Sequence, residues 1–328
     1  MTFWVVNILN AVSLAMILFL LALGLTVVFG LMRIVNMVHG SFYLLGGYIA
    51  LSVMQESGYF LLGAVVSFVL VAALGMGIQR MFLSKLYKQE LPQALLTLGL
   101  LFVFADVAFW IWGGNPVMLP QPALFTGTVR IFGIPYPTYR LFLIGVGLGL
   151  ALLLWLFLEN TKIGAAVRAG IDDEEMLRGI GINVPLLFAC VFALGAGLAG
   201  LGGVLGGPLL GVFPGADFEV ALLAFVIVTV GGLGSIQGAF WASLLVGTRR
   251  QFRECLVSAA VAVHNLSADD CGPRGAADRS DGARLRCTPW SADSSRSVSF
   301  SCSPLSSPRC RSIRSNWSRR YSSMQYLR

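Results

Sequence analysis

The chain has 328 residues, of which 56% are apolar and only 12% charged, and its mean hydropathy is +0.78. Soluble domains carry about 25% charged residues, so an ordinary soluble globular protein is excluded and a polytopic membrane protein is expected. The net charge of +7 comes entirely from the end of the chain. Nine basic and ten acidic residues precede Thr248, whereas fourteen arginines, no lysine and six acids follow from there on. The basic balance therefore gives no reason to expect nucleic-acid binding.

Residues 3–32 are free of charge and exceed the roughly 20 residues that a membrane crossing requires. They lack a basic start and a small-residue cleavage site, so they read as a retained helix rather than a signal peptide. Further spans are expected at 41–54, 59–79, 93–112, 141–158, 184–205 and 220–230, with another begun at 239–247. Backbone in hydrocarbon must satisfy its own hydrogen bonds, so the expected fold is all-α, with about seven to eight transmembrane helices. Arg80, Lys85 and Lys88 follow one span, and Lys162, Arg168 and Arg178 follow another two spans later. Both basic loops are expected on the cytoplasmic side. The proline-rich segment 113–140 then faces outward, with a short strand at 128–132.

The first apolar run ends in Arg33-Ile34-Val35-Asn36-Met37-Val38-His39-Gly40-Ser41, followed by Tyr43. A second interruption, Gly231-Gly232-Leu233-Gly234-Ser235-Ile236-Gln237-Gly238, follows 220–230. Polar or Gly-rich breaks at related places in two apolar regions point to a transport pathway. Asn36, His39, Gly40, Tyr43, Gly232, Gly234 and Ser235 are the candidate pathway residues. The competing reading for Asn36 and His39 is structural, each bonding backbone that the break sets free. Gly195, Ala199, Gly203, Gly207 and Gly211 recur every four residues, a stripe suited to close helix packing, and Pro208 and Pro214 suggest that the helix ends or kinks before the stripe is complete. Between 159 and 185 lies a charged, helix-compatible loop. Arg168–Asp172 and Glu174–Arg178 stand at i,i+4 spacing there, and such a loop suits docking to a soluble partner.

No catalytic or metal-binding constellation is visible. His39 is the one histidine before the tail, and Asp106 is the one acid expected inside a clean span. Phosphate-cradling and dinucleotide fingerprints are absent, so the chain is not expected to be an enzyme or to bind a cofactor itself. From 272 onward the sequence is rich in Ser, Arg and Pro, and it reads as disordered. The domain division expected is 1–247 for the membrane part and 248–328 for the tail. Abundant Arg without Lys, beginning inside an unfinished apolar run, is the pattern of a GC-rich gene translated out of frame. Resequencing the gene is expected to show an apolar continuation in an adjoining frame; a polar one there overturns the frameshift.

Val35 through Tyr48 resembles the "INFAHGDFFMLGAY" signature of LivH-type permeases of branched-chain amino acid ABC importers. Gly164-Ala165-Ala166-Val167-Arg168-Ala169, then Asp173, then Gly181-Ile182-Asn183-Val184, is similar to that family's "GRALRA…D…GINV" segment. Phe192 through Gly200 resembles its "FALGAALAG" helix, and Ala224 through Ala239 its "AF…GGLGSIPGA". The resemblance covers 1–247. It implies a multi-pass permease subunit of a bacterial inner membrane that pairs with a second, related permease. It also implies two ATPase subunits, which use the ATP, and a periplasmic substrate-binding protein. Gly164, Arg168, Ala169, Asp173 and Gly181 are the implied ATPase-coupling residues. Ser41 stands where the family usually carries an acid, and Gln237 where it carries proline. The alternatives are a secondary amino-acid transporter, with Asp106 as its ion-coupling group, and a defective permease truncated by frameshift. An intramembrane enzyme using His39 lacks partner residues.

Overall fold

A computed structural model describes residues 2–32, 36–87, 89–131, 133–172, 174–179 and 181–269. Ten helices are present among them: α1 (Thr2–Met32), α2 (His39–Ser57), α3 (Phe60–Met81), α4 (Glu90–Trp112), α5 (Thr138–Asn160), α6 (Lys162–Asp172), α7 (Glu174–Gly179), α8 (Val184–Leu210), α9 (Ala216–Gly231) and α10 (Ile236–Asp269). Two short strands, β1 (Thr128–Ile131) and β2 (Ile134–Pro137), pair as an antiparallel hairpin with Thr128 opposite Pro137. The strand expected after the proline-rich stretch is thus one arm of a hairpin.

Length and apolarity qualify α1, α3, α4, α5 and α8 as membrane-spanning, and α9 with α10 forms a sixth candidate bent by 120° at its break. The chain is an all-α polytopic membrane protein. The runs 220–230 and 239–247 fall on the two arms of that bent candidate, and the rest of the difference from the expected number of spans is the apolar run at 41–54. It lies in α2, and every residue from His39 to Tyr48 is buried. That helix is wrapped by protein rather than lipid.

Burial separates the bundle into layers. Within its most apolar window α1 is 83% buried and α8 is 72% buried, against 17% for each of α4 and α5. Helix α8 packs mainly on α3, α2 and α1. The glycine stripe explains why it can: a Cβ on Gly195 would stand 2.8 Å from the Gly24 carbonyl oxygen, and one on Gly203 would overlap the Tyr43 carbonyl. Without side chains between them, these backbones approach to contact. The outer helices turn Leu61, Val65, Val69, Phe102, Val103, Trp110, Leu152 and Leu153 outward, a surface matched to acyl chains.

Two ends of the bundle can be told apart. At one, Tyr136 donates to Asn10 Oδ1 at 3.2 Å, Trp112 Nε1 donates to Ser52 Oγ at 2.8 Å, and Val117 bridges to Val212. This end gathers the hairpin, the start of α1 and the end of α8. At the other, Tyr87 meets Phe188 with ring centroids 5.9 Å apart, and Gly170 of α6 lies against Leu31. Both basic loops, expected from the sequence on one side of the membrane, share this second end. Helix α10 continues beyond Gly247, where Arg250 pairs with Glu219 of α9 at 3.0 Å. The side chains of 254–269 and all of 270–328, which hold most of the expected tail, lie outside the described residues.

Candidate functional site

The first interruption re-enters the bundle. Helix α1 ends at Met32, yet His39, opening α2, places Nε2 2.9 Å from the carbonyl of Leu21, about a third of the way back along α1. Helix α2 therefore begins in mid-bundle, and its N-cap, Val38, offers no side-chain acceptor. Neighbours take up part of the exposed polarity. Met37 N–H donates to Thr97 Oγ1 at 3.3 Å, and Ser41 Oγ stands 3.4 Å from both the Leu101 carbonyl and Asp217 Oδ2. One hydroxyl hydrogen is thus shared between two acceptors, on α4 and α9.

Several polar atoms stay buried and unpartnered there: both side-chain atoms of Asn36, His39 Nδ1, the Tyr43 hydroxyl and Asp217 Oδ1. Gly40 packs so tightly on α9 that any Cβ would overlap the Asp217 carbonyl oxygen. Asn36, His39, Gly40 and Tyr43 accordingly sit inside the protein. The backbone that His39 meets, the Leu21 carbonyl, lies inside α1 and not at the break itself.

The second interruption is a different object. Gly232 and Gly234 adopt φ of 93° and 85°, backbone that side-chain-bearing residues rarely take. Ser235 then caps α10, its Oγ accepting from Gly238 N–H at 3.1 Å. Gly234 packs against Gly30, so this break also rests on α1, near its end. Beside it opens a groove of about 330 Å³ lined by Phe19, Leu148, Trp155, Gln237, Phe240 and Trp241 among others. Of the two interruptions, this one borders a described cavity.

The loop after α5 is a third element. Thr161 Oγ1 accepts from Gly164 N–H at 3.0 Å and caps α6. A Cβ on Gly164 would overlap the backbone of Leu158, so α6 folds flat against the end of α5. Arg168 fastens this corner: its guanidinium donates to the Leu158 carbonyl and lies 3.4 Å from the Glu159 carboxylate. The i,i+4 partners expected from sequence, Asp172 and Glu174, have side chains outside the described set, as does all of Asp173. Gly181, at φ 85°, ends the α7 turn, with Ile182 N–H donating to Leu177 at 3.2 Å. Ala169 faces outward beside Arg168.

Residues 7–266 match the family model described as the branched-chain amino acid transport system / permease component. The chain belongs to this family. The permease LivH of Escherichia coli K12, named for high-affinity branched-chain amino acid transport, is 29% identical over 254 residues, covering 73% of this chain and 82% of its own length. BraD of Pseudomonas aeruginosa is 29% identical over 248 residues, covering 71% and 80%. The ribose import permease RbsC of Haemophilus influenzae is also 29% identical, over 262 residues, covering 75% and 76%.

For a member of this permease family the residue most easily overlooked is Asp217. It stands just before an apolar run, yet it is 1% exposed. Its signal was the helix start, Pro214-Gly215 followed by acids in the first turn of α9. Asp106, by contrast, is exposed on α4. Asp217→Ala strips Ser41 of its carboxylate neighbour and leaves a void. We expect a loss of about 1–3 kcal/mol, read as a melting temperature several degrees lower in detergent, and a smaller loss for Asp217→Asn. Equal melting of Asp217→Ala and the parent chain would show that Ser41–Asp217 contributes nothing.

Proposed function

We propose that this chain forms one half of the translocation path of an ATP-driven importer for branched-chain or similar hydrophobic amino acids in a bacterial inner membrane. A second, related permease supplies the other half. Two ATPase subunits dock on the basic end and consume the ATP, and a periplasmic binding protein delivers substrate. The observation that carries the coupling role is the α6–α7 unit: exposed on the basic end, folded flat onto α5 and reaching α1 through Gly170. A push on this unit is transmitted to two spans at once, as alternation between outward- and inward-facing states requires.

The groove beside the second break supports the substrate class. Its aromatic and aliphatic wall, which includes Leu152 and Trp241, opens on the outward apolar face and suits a branched side chain once the second permease covers it. The capped start of α10, with Ile236 and Gln237 on the groove, carries the partial positive charge that favours a carboxylate. Gly232, Gly234 and Ser235 are accordingly the pathway residues we retain first, with Asn36, His39, Gly40 and Tyr43 bracing the helix start behind them.

The test is reconstitution with the cognate ATPases, second permease and binding protein in proteoliposomes. Labelled leucine is expected to accumulate only with ATP and binding protein. Uptake driven by a proton gradient without ATPases overturns the proposal in favour of a secondary transporter. Sidedness is checked separately: cysteines placed at Ser84 and Thr126 are expected to react with impermeant reagents from opposite faces, Ser84 from the cytoplasm.

A further inference from the structure

We propose that the cleft between the end of α3 and the start of α8 is a lipid site for a phosphoethanolamine headgroup. The cleft encloses about 260 Å³ and is lined by Gln79, Arg80, Ser84, Asn183, Pro185 and Leu186. That is smaller than the roughly 300–1,000 Å³ of pockets that engulf a whole small molecule. It is room for a headgroup whose tails remain outside.

The polar groups point to one chemistry. Gln79 is only 3% exposed, and its Oε1 has no partner, so the wall presents a buried acceptor that asks for an N–H or O–H donor. Arg80, beside it in sequence, is exposed at the rim and supplies the fork that matches phosphate. The Ser84 hydroxyl already donates to the Arg80 carbonyl at 2.7 Å, leaving its oxygen as a second acceptor. Two acceptors and a guanidinium recognise a group that is at once ammonium and phosphate. A choline headgroup has no N–H to give. The site is prebuilt, because Gln93, itself buried, donates to the carbonyls of Leu86 at 2.8 Å and Leu83 at 3.4 Å and fixes the turn that carries Ser84.

Position identifies the source as lipid. The cleft lies at the basic end of α3, whose outer face shows Leu70 and Leu74, and Met81 and Phe82, which follow Arg80 in the chain, are exposed. Acyl chains anchored at the cleft would run along this apolar face, with the phosphate at headgroup depth. The inference requires membrane insertion and is independent of the transport reading.

Native mass spectrometry of the full chain in detergent tests it, after exposure to phosphatidylethanolamine, phosphatidylcholine and phosphatidylglycerol of identical acyl chains. We expect phosphatidylethanolamine to be retained about tenfold over the other two, Gln79→Leu to abolish that preference, and Arg80→Ala to lower the retention of all three lipids without lowering the melting temperature. Equal retention of the three lipids by the parent chain, an unchanged preference in Gln79→Leu, or unchanged retention in Arg80→Ala overturns the site. Displacement of the lipid by soluble phosphoethanolamine at matching concentration overturns the lipid as its source.

Discussion

Arg168→Glu is expected to cut ATP-driven uptake by about tenfold or more while leaving a chain that still folds and inserts. The last carbonyls of α5 have no helical partners, and a cation at that end is favoured by the helix dipole. Arg168 fills the place: it donates to Leu158, reaches the Glu159 carbonyl at 3.5 Å and faces the Glu159 carboxylate at 3.4 Å. Its side chain is 43% exposed and that of Glu159 50%. An ion pair so wetted contributes only about 0.2–1 kcal/mol, so the fold survives its loss. Coupling does not. Glutamate at this position meets Glu159 and the carbonyl ends with like charge, and α6 is released from α5. Removing a coupling energy of about 1–3 kcal/mol changes transport by roughly 5- to 150-fold. Hydrolysis by the docked ATPases should continue at its resting rate while leucine uptake falls, and Arg168→Lys, keeping charge without the fork, should lie between. Uptake by Arg168→Glu at the parent rate overturns the role we assign to α6.

What could be read from sequence follows from which forces are local. Most of the spans are apolar by composition and the two interruptions polar by composition, and these appear where they are expected; the four-residue glycine period runs along α8 as far as Gly207, with Gly211 just past its end. Contacts across the bundle were another matter. The i,i+4 rule looks only along α6, and it gives no sign that the preceding helix end, with Glu159, reaches the Arg168 guanidinium. Hydropathy ranks 41–54 with the crossing helices because it cannot distinguish apolar side chains facing lipid from those facing protein. The burial of Asp217 is not marked by the sequence, because its contact with Ser41 spans 176 residues of chain. The candidate pathway residues divide for the same reason. The second break is written in glycines whose φ values suit a sharp turn, whereas the burial of Asn36 and His39 depends on α1, α4 and α9 closing over them.

Gly203→Ala is expected to remove nearly all folded protein, a larger effect than one methyl group ordinarily has. The added Cβ would overlap the Tyr43 carbonyl oxygen and come within 2.9 Å of Gly47 N. Both are backbone atoms, so no rotamer change relieves the clash and α2 itself must move. It has nowhere to go, because Gly46 is already against Gly200 and Gly40 against Asp217. Overpacking in a well-filled core costs about 1–3 kcal/mol when side chains can shift, and more when two backbones must part. Gly99→Ala on α4 is the control: nothing lies within 4 Å of its Cβ, and alanine is about 1 kcal/mol better than glycine inside a helix. Size-exclusion profiles of detergent extracts should show the folded peak lost for Gly203→Ala and kept or raised for Gly99→Ala. A normal peak and melting temperature for Gly203→Ala would mean that α2 and α8 are not in backbone contact. The seat that holds the first interruption in mid-bundle would then need another explanation.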